Sequence, residues 1–321
     1  MSEAWFAGVI GQPTAVELLS YAVQRQRLAP AYLFVGAEGV GRALTARHFL
    51  QILLGQQPSA IASLTNHPDV LWVEPTYSHQ GTLYTRAQLM AAGKDIPRGT
   101  AQIRLEQIRH LSRVLSQPPM HAPRSLVVIE QAQTLNEAAA NALLKTLEEP
   151  GRATLILITP SEASVLNTIV SRCQKIPFTP LRRTDLETVL QRVAPASFWQ
   201  EVTPELWHLG AGSPGAVLHA WQTWQQIPEA FRTLGHQLTC PMPLRQCLEL
   251  ARDLSQMLEV ERQVWLLSLM QQQCWRVYSQ QGNWAAAMSA LRHLEQAQQY
   301  LQQYVQPRLV WEVLLMQLRA L

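Results

Sequence analysis

One glycine-rich stretch limits what this chain can fold into. Residues 36–43 read Gly36-Ala37-Glu38-Gly39-Val40-Gly41-Arg42-Ala43. The spacing follows the phosphate-binding-loop pattern G-x-x-x-x-G-K-[ST]. Tyr32-Leu33-Phe34-Val35 precedes it as a strand, and residues 42–54 follow it as a helix. A strand, a glycine loop and a helix in that order predict a nucleotide-binding fold. The chemistry of the loop is depleted, however. Arg42 stands where the lysine that reaches the outer phosphates belongs, and Ala43 replaces the hydroxyl that would hold Mg²⁺. Gly36, Gly39, Gly41 and Arg42 are thus candidate nucleotide contacts in a degenerate loop that is not expected to support hydrolysis.

The partner motif is degraded in the same way. Leu126-Val127-Val128-Ile129 is a buried strand that runs into Glu130-Gln131-Ala132-Gln133. In ATPases of this kind the strand ends in acids, one organising Mg²⁺ and one polarising the attacking water. Glu130 keeps a carboxylate, one methylene longer than aspartate. Gln131 cannot take a proton.

Around these motifs, strand and helix alternate through residues 1–180. Expected strands are 32–35, 70–73, 125–129, 154–158 and 175–178, with helices at 12–26, 42–54, 103–116 and 136–148. That alternation predicts an α/β fold with a parallel sheet covered on both faces. In the helix after Asn136, the positions Ala140, Leu143, Leu144 and Leu147 define a buried face. Residues 75–100 are expected to be a long polar connection broken by Gly81, Gly93, Pro97 and Gly99. Beyond Pro180, short helices at 184–193, 204–209 and 214–222 are expected. Residues 223–321 carry no strand signal and should form helices at 244–258, 260–281, 284–303 and 308–319. A chain of 321 residues fits two or three domains.

Composition excludes several classes. A net charge of +3 is too small to argue nucleic-acid binding by itself. The cysteines at 173, 240, 247 and 274 include no C-x-x-C pair, so a zinc ribbon or a thioredoxin-like site is unsupported. The histidines do not cluster at metal spacing, and His48 and His110 are expected on solvated helix faces; no metal site is expected. No signal peptide and no membrane-length apolar run is visible, so reduced thiols and a cytoplasmic location are expected.

Several segments together resemble one family. Asn141-Ala142-Leu143-Leu144-Lys145-Thr146-Leu147-Glu148-Glu149-Pro150 resembles the helix after the second acidic motif of clamp-loader ATPases. Ser171-Arg172-Cys173 resembles their arginine-finger triplet. His67-Pro68-Asp69, Gly212-Ser213-Pro214-Gly215, Val9-Ile10-Gly11-Gln12 and Ala29-Pro30-Ala31-Tyr32-Leu33-Phe34 are typical as well. The chain is similar to the delta-prime subunits of bacterial DNA polymerase III clamp loaders, densely over 5–54 and 103–220 and more weakly through the C-terminal helices.

This resemblance implies a P-loop AAA+ domain with a parallel five-stranded sheet at 1–180. It further implies a small helical lid at 181–222 and an all-α collar at 223–321. The implied role is a non-hydrolysing, stator-like member of a hetero-pentamer that also holds ATPase subunits and a clamp-opening subunit. Such a ring loads a sliding clamp onto primed DNA within the DNA-directed DNA polymerase holoenzyme. Arg172 would act in trans as a finger on a neighbour's ATP, a contact worth roughly a thousandfold in rate. Gly215 stands where hydrolysing relatives carry a phosphate-sensing arginine. Many relatives have a cysteine zinc module between the first helix and the second strand; residues 55–69 contain no cysteine, so zinc is expected to be absent. No cofactor should be required. Arg104 and Arg109 would face DNA phosphates in the ring's channel, or else form a solvated helix face. The tryptophans at 221, 224, 265, 275, 284 and 311 are expected in collar core and subunit interface. Two other readings stay open: an active ATPase that tolerates Arg42, and a subunit that holds ATP or ADP on Gly36 to Gly41 without turnover.

Overall fold

The apolar runs become strands in a computed structural model that describes residues 5–55, 64, 67–79, 81–95, 97, 99–237 and 242–319. Met1 to Ala4, Cys240 and most of the cysteine-free stretch 55–69 lie outside the described residues. The chain divides into two units, Met1–Val189 and Leu190–Leu321.

The strands of the first unit are β1 (Ala31–Val35), β2 (Val70–Val73), β3 (Tyr77–His79), β4 (Thr82–Tyr84), β5 (Ser125–Ile129), β6 (Ala153–Thr159) and β7 (Gln174–Pro177). Five of them form one sheet in the order β2-β5-β6-β1-β7, with every neighbouring pair parallel. β5 and β6 are buried along their whole length. Their sequences are therefore continuous apolar runs and not alternating ones, because helices cover both faces. The edges differ. β7 exposes Gln174, Lys175 and Pro177, and a charged, proline-ended edge resists pairing with another chain.

The helix Glu137–Glu148 shows how the local signals act. Asn136 Oδ1 accepts the Ala139 N–H at 2.8 Å, satisfying one of the donors that the first turn leaves free. Ala139, Ala140, Leu143 and Leu147 are buried against the sheet. Leu144, expected on that face, is only half-buried. Thr146 is buried in addition, its hydroxyl 3.1 Å from that of Ser112 on the helix Leu105–Leu115.

The expected long polar connection at 75–100 carries regular elements among its described residues. β3 and β4 pair antiparallel, Tyr77 with Tyr84 and Ser78 with Leu83. A helix Arg86–Ala91 follows, opened by a reciprocal cap between Thr85 and Gln88. Thr76 and Gln102 exchange backbone hydrogen bonds of 2.9 and 3.1 Å at its base, so the excursion leaves and rejoins the domain at one point. Gly81 and Gly93 do act as breakers, at φ of +78° and +61°.

Among its described residues the second unit is helical. Its longer helices are Pro214–Gln226, Leu244–Met257, Val260–Gln280, Trp284–Gln302 and Pro307–Arg319. The expected tryptophans separate by environment. Trp311 and Trp221 are buried, while Trp275 and Trp284 are exposed and touch each other at 5.8 Å between ring centroids. The buried indoles keep their N–H groups satisfied: Trp311 donates to Gln263 Oε1 at 2.8 Å and Trp221 to Glu201 Oε2 at 2.9 Å. Among the described residues no helix is long and apolar enough to cross a membrane.

Candidate functional site

The glycine loop keeps its shape through close packing. A Cβ on Gly36 would lie 2.4 Å from the Phe178 carbonyl oxygen and 2.7 Å from Phe178 Cβ. Only glycine lets the end of β1 pass that close to the chain leaving β7. Gly39 and Gly41 sit at φ of +75° and +108°, which L side chains seldom adopt. Gly41 is the N-cap of the helix Arg42–Leu53, and its carbonyl accepts both the N–H and the hydroxyl of Thr45, each at 2.9 Å. Gln12 clamps the loop from below: its side-chain amide donates to Val40 O at 3.3 Å and to Thr179 O at 2.8 Å.

Arg42 does not extend from this cradle. It is 8% exposed, and Nη1 is buried without a hydrogen-bond partner. Burial pulls its basicity below the ordinary guanidinium value, and the nearby charges of Glu38 and Glu130 partly restore it. A cation in the first helical turn also opposes the helix dipole, so those carboxylates offset two costs. Glu130 is pushed above the ordinary carboxylate range by burial first and by Glu74 next, with Arg47, Trp72 and Arg42 acting against that rise. The Trp72 indole N–H lies close enough to favour the ionised form, yet it closes no hydrogen bond of standard geometry. The Arg47 guanidinium stacks 5.2 Å from the Trp72 ring centroid. Gln131 takes a left-handed backbone at φ +51° before a short 3₁₀ turn.

These side chains do not fit Mg²⁺–nucleotide chemistry. Ala43 offers no oxygen to a metal, and Gln131 offers no base. Arg42 is buried with Nη1 unpartnered, and the charges of Glu38 and Glu130 already act on it. Among the described residues no group of three His, Cys, Asp or Glu side chains has metal-binding geometry.

Arg172 lies elsewhere, after the short helix Asn167–Val170 and before β7. Ile169 and Val170 anchor that turn in the core. The guanidinium stays outside, with Nη2 on Glu148 Oε1 at 2.6 Å and Nη1 on the Thr168 carbonyl at 2.9 Å. The adjacent Cys173 thiol is pushed up to about 12 by burial, so Cys173 packs and does not act as a nucleophile. Arg109 lies on the helix Leu105–Leu115 and is exposed; Arg104 is that helix's half-buried N-cap, with Nε unpartnered. His48, expected on a solvated face, is buried at 6% exposure with Nδ1 unpartnered. Its ring fills the space over Gly8, where a Cβ would come within 2.8 Å of Nε2.

Sequence reasoning missed Glu38, Arg47, Trp72 and Glu74 around the loop, and Glu148 beside Arg172. One signal was available for Glu74: in a parallel sheet, ligand sites gather at the carboxyl ends of the strands. Glu74 directly follows β2, as Glu130 follows β5. Nothing in the sequence marked Glu148 as the partner of Arg172.

A family model described as DNA polymerase III, delta subunit, matches residues 11–182. A second, described as Cyanobacterial DNA polymerase III delta prime, C-terminal domain, matches residues 184–318. The DNA polymerase III subunit delta' of Bacillus subtilis is 30% identical over 220 residues, covering 65% of this chain and 58% of that protein. The subunit of the same description from Pseudomonas aeruginosa is 32% identical over 243 residues, covering 69% of this chain and 66% of that protein. The chain thus spans just under two thirds, or less, of the length of these relatives. The crystal structure of a DNA polymerase III, gamma subunit-related protein from Thermotoga maritima aligns with 94% of this chain and 98% of its own, at TM-score 0.47 and 17% identity; a likeness of that size adds nothing to the assignment.

Proposed function

The chain belongs to the delta-prime family of bacterial DNA polymerase III clamp-loader subunits, and from that premise we propose that it is the non-hydrolysing stator of such a ring. The ring would be a hetero-pentamer with ATPase subunits and a clamp-opening subunit, acting on a sliding clamp and primed DNA. Residues 1–180 would be its AAA+ domain, 181–222 its lid and 223–321 its collar. Arg172 would complete the ATP site of one neighbour.

One contrast carries the proposal: the arginine in the chain's own phosphate loop is buried with Nη1 unpartnered, while Arg172 is presented at the surface of a core-anchored turn. The first arrangement suits a site without turnover, and the second suits a group that acts on another molecule. The test is to reconstitute the complex with purified partner subunits. The isolated chain should show no ATPase above background. The complex should hydrolyse ATP on primed DNA and load the clamp, and replacing Arg172 should impair both. Robust turnover by the isolated chain would overturn the proposal.

A second reading has its own support. The glycine turns are intact and Arg42 Nη1 is a buried donor without a partner, which suits ATP or ADP held without hydrolysis. Equilibrium dialysis of the isolated chain against labelled nucleotide separates a filled loop from an empty one.

A further inference from the structure

Arg172 is gripped by two different elements. Its Nη1 donates to the Thr168 carbonyl at 2.9 Å, within its own turn. That carbonyl also accepts the Ser171 hydroxyl at 3.1 Å, which stiffens the turn. Nη2 donates to Glu148 Oε1 at 2.6 Å, across 24 positions of sequence. Both anchors are rooted in core. Glu148 ends a helix whose Leu143 and Leu147 are buried, and Arg172 follows the buried Ile169. No other described acceptor binds the guanidinium, so its remaining N–H donors have no described partner on this chain, and the side chain is 36% exposed. A planar fork with one part fixed on protein and the rest open is a half-built anion site.

We propose that Glu148 is the positioning residue of Arg172: it fixes the guanidinium so that the open donors are pre-aimed at an anionic group on another subunit. The inference rests on the proposed role of Arg172 as a trans-acting arginine. An arginine side chain loses considerable rotamer freedom when it is fixed. A carboxylate that fixes it beforehand removes part of that cost from the encounter with phosphate. Stability is not the purpose of such a pair, since exposed ion pairs contribute little to folding. The side chains here are 36% and 53% exposed.

The experiment is a mutant cycle in the reconstituted complex on primed DNA. Stimulated ATPase, KM for ATP and clamp loading would be read for wild type, Glu148→Ala, Glu148→Gln, Arg172→Ala and the Glu148→Ala/Arg172→Ala pair. Glu148→Ala should lower the stimulated rate by about three- to tenfold with KM little changed, as expected for a misplaced group. Glu148→Gln should retain most of the rate, because its amide oxygen still accepts the same N–H. The pair should be no worse than Arg172→Ala alone, because both changes remove one device. Thermal unfolding of Glu148→Ala should match wild type. If Arg172→Ala is impaired while Glu148→Ala behaves as wild type or faster, or if the two losses multiply, the positioning role is overturned and the Arg172 proposal stands. If Arg172→Ala is itself silent, both fall together.

Discussion

Arg42 and Arg172 carry the same side chain into opposite surroundings. Arg42 opens a helix in a loop shaped for phosphate, yet it is buried and one of its nitrogens has no partner. Arg172 sits in a short polar turn with no motif shape of its own, yet its guanidinium is hydrogen-bonded and outward-facing. The difference teaches that a binding motif consists of two separable things. Backbone shape survives in the loop because Gly36, Gly39 and Gly41 are also needed for packing and for the chain path. Chemistry lies in the side chains at 42, 43, 130 and 131, which can change while that path stays as it is.

The largest expected effect tests whether the loop is now structural. Gly36→Val should destabilise the chain by about 3 kcal/mol, since the added atoms meet Phe178 backbone and not a flexible side chain. The shift in urea midpoint measures it. A wild-type midpoint would mean that the loop relaxes freely and that its shape is not held by packing.

A satisfied buried charge makes a useful control. Asp69 accepts the N–H groups of Met120, His121 and Ala122 at 2.6, 2.7 and 2.8 Å. Burial alone would raise its carboxyl, but these amides and nearby His67 hold it below the ordinary range. Asp69→Asn should cost about 2 kcal/mol at neutral pH. With the folded value depressed, the carboxylate's contribution is present above the unfolded range, near about pH 4. It is lost as pH falls through the lower folded value. The gap between wild type and Asp69→Asn should therefore close in that acidic window, and a gap that does not change with pH would show that the amides do not depend on the charge.

Arg42→Lys should cost about 1 kcal/mol, because a lysine at this buried site keeps the charge but loses the flat contact area. It should also leave the isolated chain without ATPase, since Ala43 and Gln131 still supply neither hydroxyl nor carboxylate. Turnover in this variant would make the loop a dormant active site and erase the contrast with Arg172.

The smallest stability effect belongs to Arg172→Ala, within about 0.5 kcal/mol of wild type, as for other exposed pairs. The functional effect should be visible all the same: assembly with partner subunits intact, and DNA-stimulated ATPase and clamp loading reduced. The loss should be partial if other sites in the ring are whole. Arg172→Lys should rescue poorly, because an ammonium lacks the planar fork. An unfolded Arg172→Ala chain would make this arginine a structural residue like Arg42.

Much of the architecture is legible without coordinates. The segments Tyr32 to Val35, Val70 to Val73 and Leu126 to Ile129 are strands because short apolar runs bounded by polar turns have few other ways to be buried. Asn136 and Ser213 mark helix starts by accepting an N–H three residues on, and Pro214 marks one through its fixed φ at the first helical position. The stretch 75–100 was less legible, because β3 and β4 are short and its local glycines signal a turn and a loop equally well. The solvated expectation for His48 failed because helical periodicity does not reveal that the N-terminal segment at Gly8 passes over that face.

By itself the sequence determined the strand–loop–helix unit, the loss of hydroxyl and base at positions 43 and 131, and the resemblance that points to Arg172. These are properties of residue identity and of spacing within a turn or two of backbone. Only the tertiary structure decided that Arg42 is buried beside Glu38 and Glu130, and that Arg172 is gripped by Glu148. The approach of Glu130 to Arg42 and of Glu148 to Arg172 depends on the fold of the first unit, with its strand order β2-β5-β6-β1-β7, which brings distant segments together. The energy of a charge is set by what surrounds it in space, and one-dimensional spacing does not carry that information.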